Sequence, residues 1–190
     1  MFYLLQSTHT SNRHDIKAII PVAIRNRTKE IIMDNRVSSV FLTLPTSQES
    51  SIERLKMTKE RMDALKMSPL VFIIYMLIRW IASFFSPKTS ADIQRNWTDK
   101  CTVMVSNVPG DRVLQSFCGA RVKSMFGFVP LYPGKFASFS IFSYANGVTM
   151  AANVDKLRVK NPSRLAILFE TCFEELQEEV NEAMKRGEEF

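Results

Sequence analysis

The stretch Cys101-Thr-Val-Met-Val-Ser-Asn-Val-Pro-Gly110 is where the chain changes character, from helical spacing before it to short β segments after it. Its first part, Cys101 to Ser106, is apolar and rich in β-branched residues, which predicts a strand. Pro109-Gly110 suits the two centre positions of a type II turn, where proline presets φ and glycine accepts a positive φ. Ser106 and Asn107, just before that bend, are placed to present a hydroxyl and an amide to a cleft. In the plainer reading Asn107 caps its own backbone.

Downstream, further strands are expected over Ala120 to Val129, Phe136 to Tyr144 and Val148 to Val154. Asn146-Gly147 lies between the last two and supplies positive φ without steric cost, so that pair reads as an antiparallel hairpin. Asn161-Pro162 then offers an N-cap and first position for a final helix. Leu165, Leu168, Phe169, Cys172, Phe173, Leu176, Val180 and Ala183 form its apolar stripe. Glu174 and Glu175 lie mainly away from that stripe, as solvated charges and not as a catalytic carboxylate pair.

Upstream, Ala18 to Ile24 reads as a buried or edge strand, with Pro21 pointing to an edge or a bulge because it cannot donate to a ladder. Val37 to Leu44 is a second strand. Two capping boxes follow, Thr46 with Glu49 and Ser50 with Glu53. From Ile52 the apolar residues Leu55, Met62 and Leu65 recur at helical spacing, an amphipathic helix packed on one side.

Residues 69–86 form the most hydrophobic segment, opened by Ser68-Pro69 and closed by Ser86-Pro87. It falls short of the roughly 20 apolar residues of a bilayer crossing, and Arg79 sits inside it. Burial in protein is one reading, a helix lying at a membrane surface with Arg79 snorkelling outward the other. Residues 87–100 are polar and read as a loop or linker with a short helix.

Composition bounds the function. With 190 residues, 46% hydrophobic and 23% charged, the chain can bury a core. The net charge of +6 arises in the first hundred residues, while residues 101–190 balance. Such a charge favours anionic partners, but no dense Lys/Arg run interleaved with aromatics is present, so nucleic acid is not an expected partner. Cys101, Cys118 and Cys172 are an odd, widely spaced set that defines neither a disulfide framework nor a zinc knuckle. Met1 to Gln6 is too short for a signal-peptide core, which argues against secretion. His9 and His14 stand five apart, wrong for a metal on one helix face or one strand, and no Gly-rich phosphate loop or Gly-x-Ser-x-Gly elbow occurs. Chemistry contributed by these residues would be supportive, through shape and backbone.

The decade Cys101–Gly110 resembles the Ser-Asn-Val-Pro-Gly signature of the bifunctional wax ester synthase/diacylglycerol acyltransferase family. Other segments follow in that family's order. Ile20-Pro21-Val22-Ala23-Ile24-Arg25 resembles its Val-Pro-Val-Ser-Val-Arg strand, and Asp34-Asn35-Arg36-Val37-Ser38 its Gly-Asn-Arg-x-Ser segment. Leu44-Pro45 with Ile52-Glu53-Arg54-Leu55 resembles the next strand and helix entry. Gly119-Ala120-Arg121, Phe128-Val129-Pro130, Ser143-Tyr144-Ala145-Asn146-Gly147 and Asp155 fall where the family has similar residues. The likeness runs from about Ile16 to the last helix.

The resemblance implies an α/β (α+β) domain, residues 16–190, as the second half of a chloramphenicol acetyltransferase-like, coenzyme A-dependent acyltransferase fold, with a mixed sheet flanked by helices. Residues 1–15 would be an N-terminal remnant. Family members move an acyl group from acyl-CoA to a fatty alcohol or diacylglycerol, giving wax ester or triacylglycerol. A His-His-x-x-x-Asp-Gly motif in the first half supplies the general base. Neither that motif nor the family's Asn-Asp motif occurs in these 190 residues, so the resemblance implies a second half that is inactive without a first half in cis or trans. It further implies no bound cofactor or metal, acyl-CoA as co-substrate, a lipid alcohol as acceptor, and association with a membrane or lipid surface on the cytosolic face of the endoplasmic reticulum or plasma membrane.

Its candidate substrate-channel residues are Asn35, Arg36, Ser106, Asn107 and Gly110, with Arg36 either a partner for a CoA phosphate or a surface ion pair. Asp111 stands where the family has proline, so the loop after the signature is open to departure. A non-catalytic lipid- or membrane-binding protein, or a subunit completing another acyltransferase, are the competing readings.

Overall fold

The period-two segments build the framework. A computed structural model describes residues 14–24, 36–132 and 134–188. Its strands are β1 (Ile16–Ala23), β2 (Val37–Leu44), β3 (Val103–Pro109), β4 (Ser116–Phe117), β5 (Ala120–Arg121), β6 (Ala137–Tyr144) and β7 (Gly147–Val154). Five of them form one mixed sheet in the order β2-β1-β3-β6-β7. β1 pairs antiparallel with β2 and β6 with β7, while β1 with β3 and β3 with β6 run parallel.

Alternation along these strands makes two apolar faces. Ile16, Ala18, Val103 and Ala137 are buried on one, packed by Leu44, Val105, Phe139 and Val154. Ile19 and Met104 point the other way and are buried with Cys101 under Val129.

The helices are α1 (Ser51–Met67), α2 (Leu70–Phe84), α3 (Pro87–Thr98) and α4 (Ser163–Lys185). Ser50 caps α1 by accepting the Glu53 N–H at 3.3 Å, whereas the rival Thr46 spends its hydroxyl on the His14 carbonyl. α1 has no buried residue. Polar contacts help hold it, since Arg61 bonds the Thr43 carbonyl and the Asp15 carboxylate. His14 and Asp15 are thereby tied to the domain. The rest of the expected N-terminal remnant, residues 1–13, lies outside the described residues. α2 is anchored where Ser38 of β2 donates to the Val71 carbonyl at 3.0 Å.

Several expectations are corrected. Residues 87–98 are one continuous helix, more than the short helix expected within a loop over 87–100, because Ser86-Pro87, which reads as closing the apolar helix, also opens the next one. The Ser86 hydroxyl accepts the Thr89 N–H and Pro87 takes the first position, where its missing N–H costs nothing. Asn161 makes no side-chain cap to α4.

The strand expected over Ala120 to Val129 ends at Arg121. Beyond it the backbone crosses the face opposite the main helices as a strap held by side chains. Ser138 donates to the Pro130 carbonyl at 3.1 Å, Ser140 to that of Gly127, Asn153 to that of Val129 at 2.7 Å and Tyr144 to that of Val122 at 3.0 Å. Those four donors all lie on β6 and β7 and satisfy carbonyls that a ladder would otherwise have to satisfy. In the β6–β7 hairpin the positive φ falls on Ala145 at 49°, one place before Asn146, and Gly147 is already in β7 opposite Tyr144.

Candidate functional site

The site begins with a proline in an interior strand. β1 is not an edge: β2 and β3 flank it. Its pairing with β2 runs its full length, to Ala23↔Val37, and the Ile24 N–H continues it to the Arg36 carbonyl at 2.8 Å. Pairing with β3 stops after Ala18↔Val103 and Ile19↔Met104. In that parallel register the next ladder bond runs from the N–H of residue 21 to the Val105 carbonyl. Pro21 has no N–H, so the ladder ends there.

β3 meanwhile keeps its register with β6 through Pro109↔Ser143. The sheet therefore divides into two arms at the carboxyl ends of two parallel strands, the place where open α/β sheets present ligand sites. One side of the division carries Pro21, Val22 and Ala23, the other Ser106, Asn107 and Val108.

Ser106 is half-buried and Asn107 and Val108 are exposed. Arg36, exposed at the start of β2, stands at this same end of the sheet, since β2 runs opposite to β1. Four expected residues, Arg36, Ser106, Asn107 and Gly110, are thus gathered at one rim by register. Asn35 lies outside the described residues.

Gly110 is there for a different reason than a type II turn. Its φ is not positive. β3 runs straight through Pro109, and the Gly110 N–H donates to the Ser143 carbonyl at 2.9 Å and its hydroxyl at 3.2 Å. A Cβ at this position would lie 2.2 Å from the Ser143 carbonyl oxygen and 2.8 Å from a Phe142 ring carbon. The glycine is required by close approach, and it sets the distance between the signature and β6. Asp111 extends the arrangement, its carbonyl accepting the Ala145 N–H at 2.7 Å.

A second feature is not legible in any short motif. Lys17, Lys100, Trp97, Phe41, Thr43 and Cys101 line a hollow of about 350 Å³ near the opposite ends of β1 and β3. Two lysines and a tryptophan among its lining residues are a composition suited to an anionic, flat group. At its base burial raises the Cys101 thiol above its ordinary pKa, opposed by the charges of Lys135 and Lys17. Among the described residues no cluster of three or more metal-ligating side chains occurs. The three thiols are unpaired.

Residues 33–177 match the family model of the WS/DGAT C-terminal domain. Two Mycobacterium tuberculosis proteins, from the CDC 1551 and H37Rv strains and each described as a candidate diacylglycerol O-acyltransferase, are 23% identical over 152 residues. That span covers 76% of this chain and 32% of either relative, so the chain spans about a third of their length. A wax ester synthase/diacylglycerol acyltransferase from Marinobacter aquaeolei VT8 superposes with a TM-score of 0.62 at 17% identity, over 95% of this chain and 40% of that one. The mixed sheet flanked by helices is accordingly that of the chloramphenicol acetyltransferase-like fold. With the family model spanning most of its length and the signature strand at the division of the sheet, the chain belongs to the wax ester synthase/diacylglycerol acyltransferase family as its C-terminal domain.

Proposed function

We propose that this domain forms one wall of an acyl-transfer cleft, in which an acyl group passes from acyl-CoA to the hydroxyl of a fatty alcohol or diacylglycerol. The observation that carries the reading is the position of Ser106 and Asn107 at the divided end of the sheet. A hydroxyl and a carboxamide there hold polar groups of the thioester arm or the acceptor, while Arg36 meets a phosphate of CoA. The general base that takes the acceptor proton belongs to a complementary half, so this domain alone positions substrates without turning them over. No metal or resident cofactor enters the step, and acyl-CoA is a co-substrate.

A chimera tests this, with the domain replacing the C-terminal half of a full-length family member. Palmitoyl-CoA with hexadecanol or diolein should give ester in the chimera and none with the isolated domain. Asn107→Ala in the chimera should lower turnover by about tenfold or more. A folded chimera with full activity despite Asn107→Ala and Ser106→Ala would remove these residues from the cleft.

A further inference from the structure

α2 is unlike the other helices. Val71, Ile74, Tyr75, Ile78 and Ile81 turn toward the domain, while Phe72, Ile73, Met76, Leu77, Trp80 and Phe84 share the opposite side and are each 40–70% exposed. Six large side chains exposed to that degree present roughly 600 Å² of apolar surface, at the top of what a soluble monomer leaves uncovered. The Trp80 ring lies 5.0 Å from that of Phe84 and 6.4 Å from that of Phe85, which gathers the aromatic groups at the helix end.

Charge complements this face. From residue 64 to residue 91 the sequence holds no Asp or Glu, and its ionic groups are Lys66, Arg79 and Lys88. Lys66, before α2, is paired with Asp63 at 2.9 Å, which leaves Arg79 and Lys88 as the positive groups beside the face. Arg79 lies at the border of the stripe with its guanidinium 5.8 Å from the Tyr75 ring, able to lead its charge away from an apolar phase. The stretch between Asp63 and Asp92 holds no acid, so a protein partner would have to bring acids to Arg79 and Lys88, whereas an anionic lipid surface offers phosphates everywhere.

Length sets the mode. Fifteen residues rise about 22 Å, short of the roughly 30 Å hydrocarbon core, and no single described helix is long and apolar enough to cross a bilayer. Only together with α1, across a 60° bend, does α2 reach the length and apolarity of a span, and the dense charge of α1 suits the pair to lying at a surface and not to crossing.

We propose that the outer face of α2 docks in the plane of an anionic lipid surface, with Trp80, Phe84 and Phe85 in the headgroup region and Arg79 and Lys88 on the lipid phosphates. The proposal rests on α2 alone and stands or falls separately from the acyl-transfer reading.

Flotation of the whole chain with phosphatidylcholine vesicles, with and without about 30% phosphatidylserine, tests it. Binding should be about tenfold or more stronger on the anionic vesicles. The double variant Trp80→Glu, Phe84→Glu should lose at least about tenfold in partitioning, with circular dichroism and melting unchanged because both side chains are exposed. In a Trp97→Phe background, Trp80 emission should shift to the blue on vesicle addition. Failure to float on either vesicle, equal flotation of the double variant, or a wild-type dimer that this variant abolishes without any lipid binding would each overturn the proposal.

Discussion

Gly110→Ala puts the packing at the signature to a quantitative test. The added Cβ would sit 2.2 Å from the Ser143 carbonyl oxygen, where carbon and oxygen ordinarily approach to about 3.3 Å, so β3 must retreat from β6 by roughly 1 Å. Overpacking of this kind costs about 1–3 kcal/mol, and weakening the bonds from the Gly110 N–H costs about 1 kcal/mol more. Against that, alanine restricts the unfolded chain and returns about 0.4–1 kcal/mol. The steric side wins, leaving a net loss of about 2–3 kcal/mol, or roughly 4–12 °C in Tm for a domain of this size.

Gly127→Ala is the matched control. Its Cβ would meet nothing within 4 Å and its φ is ordinary, so only the unfolded-state gain applies and stability should rise by about 0.5 kcal/mol. Urea melts followed by tryptophan fluorescence would measure both. Should Gly110→Ala melt at or above the wild-type midpoint, the close approach would not be what demands glycine.

Pro21→Val restores a donor facing the Val105 carbonyl. The β1–β3 ladder should lengthen, seen as slower amide exchange over Val105 to Asn107, and acyl transfer by the chimera should fall as the division closes; unchanged exchange would mean that proline is not what separates the arms. Asp15 is held below its ordinary pKa first by the Ser47 hydroxyl at 2.6 Å, then by the Ser47 N–H and Arg61, with slight burial opposing. A depressed carboxylate pKa stabilises above the unfolded value and is lost as pH falls through the folded one, so wild type should lose stability relative to Asp15→Asn below about pH 4, and parallel pH–Tm curves would contradict this. Lys135 is fully buried, with its ammonium on the Thr98 carbonyl and 3.7 Å from Asp99. Lys135→Met keeps the stem, and the Thr98 carbonyl keeps the Cys101 N–H at 2.9 Å, so only the ammonium's own bond is lost, for about 0.5–1.5 kcal/mol in a denaturant melt; no loss would show that the contact is dispensable. With a thiol reagent at pH 8, exposed Cys118 should react first and Cys101 only on unfolding, and early labelling of Cys101 would refute its burial.

Local physics settled much of this protein in the sequence alone. Period-two segments, the Ser50 capping box as one of two candidates and the hairpin near Asn146 are decided by neighbours a few residues apart, and the ordered likeness of Ile20–Arg25, Arg36, Ser106 and Asn107 to one family was readable without coordinates. The site's shape was not. Pro21 reads as an edge signal, and only when β3, some 80 residues later, is laid parallel to β1 does the missing N–H fall against Val105 and divide the sheet. Gly110 reads as a turn residue until the Ser143 carbonyl is brought against it.

The strap over β6 and β7 reads as a strand because its carbonyl partners, Ser138, Ser140 and Asn153, are side chains whose roles no periodicity reveals. The same holds for α2, whose apolar character is plain in sequence while the choice of which face stays uncovered belongs to its packing on β2. Tertiary structure decided these points because each depends on a long-range pairing, and sequence patterns record what a residue prefers, not which distant group it will meet.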